Sequence, residues 1–177
     1  LSVLDPERHR RIIADMDRVC AIAGISRATL ETTAKGVAHE KLIQWVRDYR
    51  TDQGAGVLLV GHAENDPATQ FMAVAGALVR NYIDARVRSL KSVLEEEDDE
   101  GEPEVLLIPD FFEKTTTTGS GVNMTQWQIR TLHSLLLNRI VKGRKTILHA
   151  ESLEEMTKIY GHAMADMLAG HYARIKA

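Results

Sequence analysis

Short runs of apolar and β-branched residues recur along the chain at Val57 to Val60, Ala85 to Leu90, Val105 to Ile108, Thr146 to His149 and Tyr172 to Ile175. Segments with apolar positions at helical spacing separate most of them. Runs of this length, apolar on nearly every residue, fit strands buried on both faces. The alternation therefore predicts an α/β fold: a parallel five-stranded sheet flanked by helices, preceded by N-terminal helices.

The helices have readable starts. Asp5-Pro6-Glu7 supplies an N-cap, a first-turn proline and an acid, before Ile12, Ile13, Met16, Val19 and Cys20 at helical spacing; Gly24 ends this element. Ile25 to Thr33 reads as a linker into a second amphipathic helix carrying Leu42, Ile43, Val46 and Tyr49. Thr125 and Gln128 fit a capping box before Ile129, Leu132, Leu135 and Leu136, with Gly143 closing that helix; Ser152 and Glu155 fit another before Met156 and Ile159. The acidic stretch from Glu95 to Pro103 and the Thr115 to Gly121 tract have too little apolar surface to bury and are expected to be mobile. No internal repeat is visible. The organisation expected is an N-terminal helix over 1–24 and an α/β domain over 25–177.

Composition narrows the function classes. At 177 residues and 44% hydrophobic, the chain can bury one ordinary core without staples. The net charge is -3, and much of the acidity sits in Glu95 to Glu100, so nucleic acid is neither required nor excluded. The single cysteine, Cys20, falls on an apolar helical stripe and reads as core filler in a reducing compartment. No stretch approaches the roughly 18 apolar residues of a membrane span, and the first residues lack signal-peptide order, so a cytoplasmic protein without a membrane partner is expected, with Leu1 suggesting a trimmed start.

The run Val57 to Thr69, VLLVGHAENDPAT, has the outline of a phosphate-binding loop: an apolar strand, Gly61, a polar loop and a new helix. A working loop ends Gly-Lys-Ser/Thr, because backbone N–H groups cradle phosphates, the lysine neutralises them and the hydroxyl holds magnesium. Here Asp66, Pro67 and Ala68 stand in those three places. The lysine charge is missing, Pro67 has no N–H, and Glu64 and Asp66 set negative charge where a triphosphate would lie. A like-charge contact near 4 Å costs roughly 4 kcal/mol at an effective dielectric of 20. Asp66 and Pro67 do suit a helix start, as N-cap and first-turn residue. Taken alone, the stretch is also the ordinary strand, glycine and capped helix of many α/β proteins.

Further along, Val105 to Asp110 (VLLIPD) has the form of a Walker B strand. Trp127 to Leu148 then gives WQIRTLHSLLLNRIVKGRKTIL, and SLEEM and YGHAMADML follow at Ser152 and Tyr160. In order and spacing this block resembles the AAA+ domain of bacterial helicase loaders of the DnaC/DnaI type and their IstB-like relatives, and Arg27 to Glu31 (RATLE) is similar to the approach segment of those loaders. The resemblance covers about residues 25 to 175.

The resemblance implies a P-loop NTPase fold and a role in DNA replication: a helicase loader or adaptor, phage- or plasmid-type, that binds a replicative helicase or another replication protein, with single-stranded DNA and self-association as further candidates. It also implies where the departures fall. The metal-binding acid of Walker B becomes Pro109, leaving Asp110; the polar sensor lies near His149 to Glu151; the arginine finger falls near Met167. Phosphoryl transfer depends on positioning and charge neutralisation. A pseudo-ATPase is therefore expected, with no cofactor, no catalytic residues and no metal. The alternatives are an IstB-like transposition helper or other nucleoprotein-assembly module, and an enzyme with an unrecognised site.

Other constellations are weaker. His9, His39, His62, His133, His149, His162 and His171 form no pairs at zinc-ligand spacing. No Gly-x-Ser-x-Gly elbow is present, and Ser120 in Gly119-Ser120-Gly121 fits a flexible linker. Arg139, Lys142, Arg144 and Lys145 cluster about a helix end, where they suit either the helix dipole or nucleic acid. Lys114 and the threonines after it correspond to loops that face the channel in the related loaders. The apolar stripe of the first helix suits a partner protein or its own domain equally.

Overall fold

A computed structural model describes residues 7, 10, 13–62, 64–95, 101–113 and 124–177. Asp5, Pro6, Ile12, Lys114, the threonine tract, Ser120 and residues 96–100 of the acidic run lie outside them.

The described elements are α1 (Met16–Ala23), α2 (Arg27–Glu31), α3 (Glu40–Asp48), β1 (Gly56–Val60), α4 (Pro67–Arg80), β2 (Ala85–Val87), α5 (Leu90–Glu95), β3 (Val105–Phe112), α6 (Gln126–Val141), β4 (Lys145–Ala150), α7 (Leu153–Tyr160), α8 (His162–His171) and β5 (Tyr172–Lys176). The strands form one five-stranded sheet in the order β2-β3-β4-β1-β5, and every pairing is parallel. This is the expected architecture.

Period-two alternation divides the sheet between two cores. Val57, Leu59, Leu107 and Ile147 face α1 to α4, where Leu42, Phe71, Val74 and Leu78 are wholly buried. Leu58, Leu106, Ile108 and Leu148 face α6 to α8 with Leu132, Leu136, Met156 and Met164. Each such side chain withdrawn from water stabilises the fold by about 1.5–3 kcal/mol. Cys20 and Ala23 of α1 belong to the first core, so the apolar stripe of this helix packs on its own domain. Burial and the nearby Asp17 carboxylate push the Cys20 thiol up from its ordinary range.

Three expectations are corrected by the structure. The supposed linker after Gly24 contains α2, capped by Ser26, whose hydroxyl accepts from Thr29 N at 3.1 Å. The second strand stops at Val87, and Leu90 opens α5 instead. The third strand does not end at Asp110: it runs on to Phe112, with a register break between Ile108 and Phe112. Pro109 has no N–H for the ladder, which accounts for the break. Beyond it, Phe111 and Phe112 pack edge-on against Tyr160, whose hydroxyl donates to Phe111 O at 2.6 Å.

The capping box at Thr125 and Gln128 is present, Ser152 caps α7, and Gly143 takes a left-handed φ of 66° just beyond α6. These local signals needed no tertiary context.

Candidate functional site

In open parallel sheets, ligands lie beyond the carboxyl ends of the strands, where the strand order reverses. Here that place is the end of β1 beside β4, and Gly61, His62, residues 64–69, Pro109 to Glu113 and His149 to Glu151 surround it.

Asp66 caps α4 as its sequence position implies. Its carboxylate accepts from Thr69 N at 2.9 Å and from the Thr69 hydroxyl at 3.0 Å, and Pro67 occupies the first turn. The loop ahead of it is held by side chains: Asn65 Nδ2 donates to Val37 O at 2.9 Å, and buried Gln70 donates to Asn65 O at 2.9 Å while accepting from His39 N at 2.8 Å. A carboxylate thus occupies a helix N-terminus that in a phosphate-binding loop faces the anion.

Asp110 is engaged in the same manner. Its Oδ1 accepts from Leu90 N at 2.8 Å, at the start of α5. Across the site, His149 is 3% exposed, with Nε2 2.9 Å from Gly61 O and Nδ1 3.1 Å from Pro109 O. Gly61 holds a φ of 111°, a conformation open to glycine, and its N–H donates to Ala150 O at 3.0 Å.

Glu113, which sequence reasoning alone misses, joins this group. Burial raises its carboxyl above the usual carboxylate range, the negative charges of Asp110, Glu151 and Asp66 raise it further, and His149 draws it down. Four carboxylates and one imidazole therefore share one field. Among the described residues, no group of three or more His, Cys, Asp or Glu is arranged to hold a metal ion. The sequence hid Glu113 because the break at Pro109 upsets the strand alternation that would have assigned its face.

The basic cluster separates in the structure. Arg139 is 1% exposed; it donates to Thr146 Oγ1 at 3.0 Å, Pro103 O at 3.2 Å and Lys145 O at 2.7 Å, and burial lowers its guanidinium to about 10. Lys145 is buried too, its ammonium bonded to Asp52 O, the Asp52 carboxylate and Gly54 O, between the rings of Trp45 and Tyr49. The donors of these two nucleic-acid candidates are enclosed by protein acceptors. Lys142 is exposed and pairs with Glu102 at 3.0 Å, and Arg144 is half-buried. All four stand at the amino end of β4, opposite the Gly61 loop. Lys114 lies outside the described residues.

The end of the acidic segment is likewise anchored rather than mobile. Arg86, 3% exposed, bonds Asp84 and donates to Gly101 O at 2.8 Å, while Arg139 holds Pro103. Met167, at the arginine-finger position of the resemblance, is buried in the second core.

Comparison with solved structures places this geometry. The crystal structure of DnaI matches with a TM-score of 0.59 at 11% identity, over 86% of this chain and 90% of that one. The crystal structure of the DnaC helicase loader matches at 0.58 and 12%, over 85% and 99%.

This chain shares the fold of these structures, a five-stranded parallel sheet flanked by helices.

A third structure, the replication initiator DnaA bound to AMPPCP and single-stranded DNA, matches at 0.57 and 10%, over 83% of this chain and 48% of that one. No family model matches the sequence, and no curated protein matches it. No described helix is long and apolar enough to cross a membrane.

Proposed function

We propose that this chain is a replication accessory of the helicase-loader kind: an AAA+-like pseudo-ATPase that keeps the scaffold for its surfaces and binds a replicative helicase or another replication protein. The observation that carries this reading is the occupied crevice. Asp66 takes the α4 N-terminus, Asp110 caps α5, His149 bridges the two strand ends, and Glu113 and Glu151 add negative charge. A triphosphate entering there would meet carboxylates in place of a lysine, and lone pairs in place of free N–H groups. The likeness to DnaI and to the DnaC helicase loader supports the partner class.

The test combines ligand and partner. Millimolar ATP with magnesium should neither raise the melting temperature nor be hydrolysed, since a ligand that binds the folded state at 100 times its Kd adds about 2.7 kcal/mol. The same preparation should co-elute with a purified hexameric replicative helicase. A magnesium-dependent thermal shift overturns the pseudo-ATPase part. Binding to duplex DNA and a transposase, with no binding to helicase, favours the transposition-helper alternative.

A further inference from the structure

The imidazole of His149 is enclosed in a way that a neutral ring does not satisfy. Both of its nitrogens face backbone carbonyl oxygens, Gly61 O at 2.9 Å and Pro109 O at 3.1 Å, and the side chain is 3% exposed. A carbonyl oxygen can only accept. A neutral imidazole has one N–H and one lone pair, so either tautomer sets a lone pair against one of the two oxygens. The doubly protonated ring donates to both.

The backbone on each side is built for this contact. Pro109 sits in the register break of β3, so its carbonyl is released from the ladder to β4. Gly61, at φ 111°, closes β1 on the opposite flank. His149 shares the field at Glu113, just beyond β3, with Asp110 of β3, Glu151 just beyond β4 and Asp66 at the start of α4, while Glu64 and His62 stand on the loop after β1.

We propose that His149 is a proton-operated clasp: its imidazolium ties the Gly61 loop to the Pro109 bulge across the end of β4, and loss of the second proton opens this end of the sheet. The clasp joins the carboxyl ends of β1 and β3 across β4, so a proton on one side chain does the bridging. Because the closed arrangement holds the second proton and the open one has no use for it, closure and proton uptake are linked. The closed form is favoured while the ring is charged and is lost as pH rises. What opens is the surface at Gly61 and from Pro109 to Glu113. The clasp operates whatever the partner.

The test uses the full chain labelled with 15N at histidine, followed by long-range proton–nitrogen spectra from about pH 5 to about pH 8, the span in which an imidazole changes charge. Amide exchange at Gly61 N–H, bonded to Ala150 O, and at Glu151 N–H, bonded to Phe112 O, is read in parallel with that of the central amides of β1. The expected result is a His149 ring protonated on both nitrogens at the acid end. Its second proton should leave in step with a rise in exchange at those two amides, about tenfold greater than any rise in the middle of β1. In His149→Gln, whose amide does not titrate, the pH step should vanish. A ring in one neutral tautomer throughout, amide protection that does not follow the ring, or a step that persists in the glutamine variant would each overturn the clasp. The wild-type spectra decide the matter even if the variant does not fold.

Discussion

At the scale of single residues, the crevice is shaped by side chains that replace one interaction by another. Asp66 is the plainest case. With its carboxylate on Thr69 N and the Thr69 hydroxyl, Asp66→Ala should lower stability by about 0.5–2 kcal/mol, read from chemical denaturation. An unchanged midpoint would mean that the cap does not hold α4. Glu113 acts with the opposite sign. Its folded-state carboxyl is raised by burial and by Asp110, Glu151 and Asp66, so folding favours the protonated form. The penalty is absent below the ordinary glutamate range near about 4.3 and grows as pH rises through the raised folded value. Glu113→Gln should therefore raise the melting temperature at neutral pH, and the gain should disappear on acidification below that range. Equal gains at both pH values would point to packing rather than charge.

At the scale of elements, helix packing outweighs helix propensity. Gly76 lies inside α4, where alanine is ordinarily more favourable by roughly 0.5–1 kcal/mol. A methyl group there would stand 2.9 Å from Thr29 O of α2, a backbone atom with little freedom to yield. Arg80, one turn later, donates to Leu30 O and Thr32 O, binding the same two helices together. Gly76→Ala should therefore destabilise the protein, by about 1–3 kcal/mol if α2 must shift, as denaturant melts would show. A gain in stability would show that α2 and α4 do not meet this closely. The same competition explains why α2 was invisible as a helix. A five-residue helix has almost no stability of its own and exists because Leu30 is buried against α4.

At the scale of the whole molecule, the two ends of the sheet use charge differently. At the carboxyl ends of the strands Asp66, Asp110, Glu113 and Glu151 share one field. The basic residues at the amino end of β4 are mostly engaged: Arg139 and Lys145 with internal acceptors, Lys142 with Glu102. Any grip on single-stranded DNA from that end rests on Lys142 and Arg144, and each phosphate contact adds about 0.7 to the salt slope. Reversing both, Lys142→Glu with Arg144→Glu, should flatten that slope by no more than two contacts and cost a fraction of a kcal/mol in stability. Binding titrations across a salt series would measure it. A larger drop in slope would require a DNA path through other residues.

The alternation of apolar runs and helical segments was enough to derive a parallel five-stranded sheet, because strands buried on both faces must be apolar wherever they occur. Cap chemistry was local enough to place the starts of α4, α6 and α7 from Asp66, Thr125 and Ser152. The missing lysine and the inserted prolines were legible for the same reason: a phosphate loop is a contiguous motif. What only the tertiary structure decided are relations between residues far apart in the chain. Arg139 and Lys145 belonged by sequence to a solvent-facing cluster, yet the close of α6 against β4 turns both inward to carbonyls and to Asp52. Glu113 and His149 gained their setting from the break in β3, where Pro109 frees a carbonyl that an imidazole 40 residues later receives. Sequence periodicity reports which face a residue occupies; which oxygen its nitrogen meets depends on strands that pair only after folding.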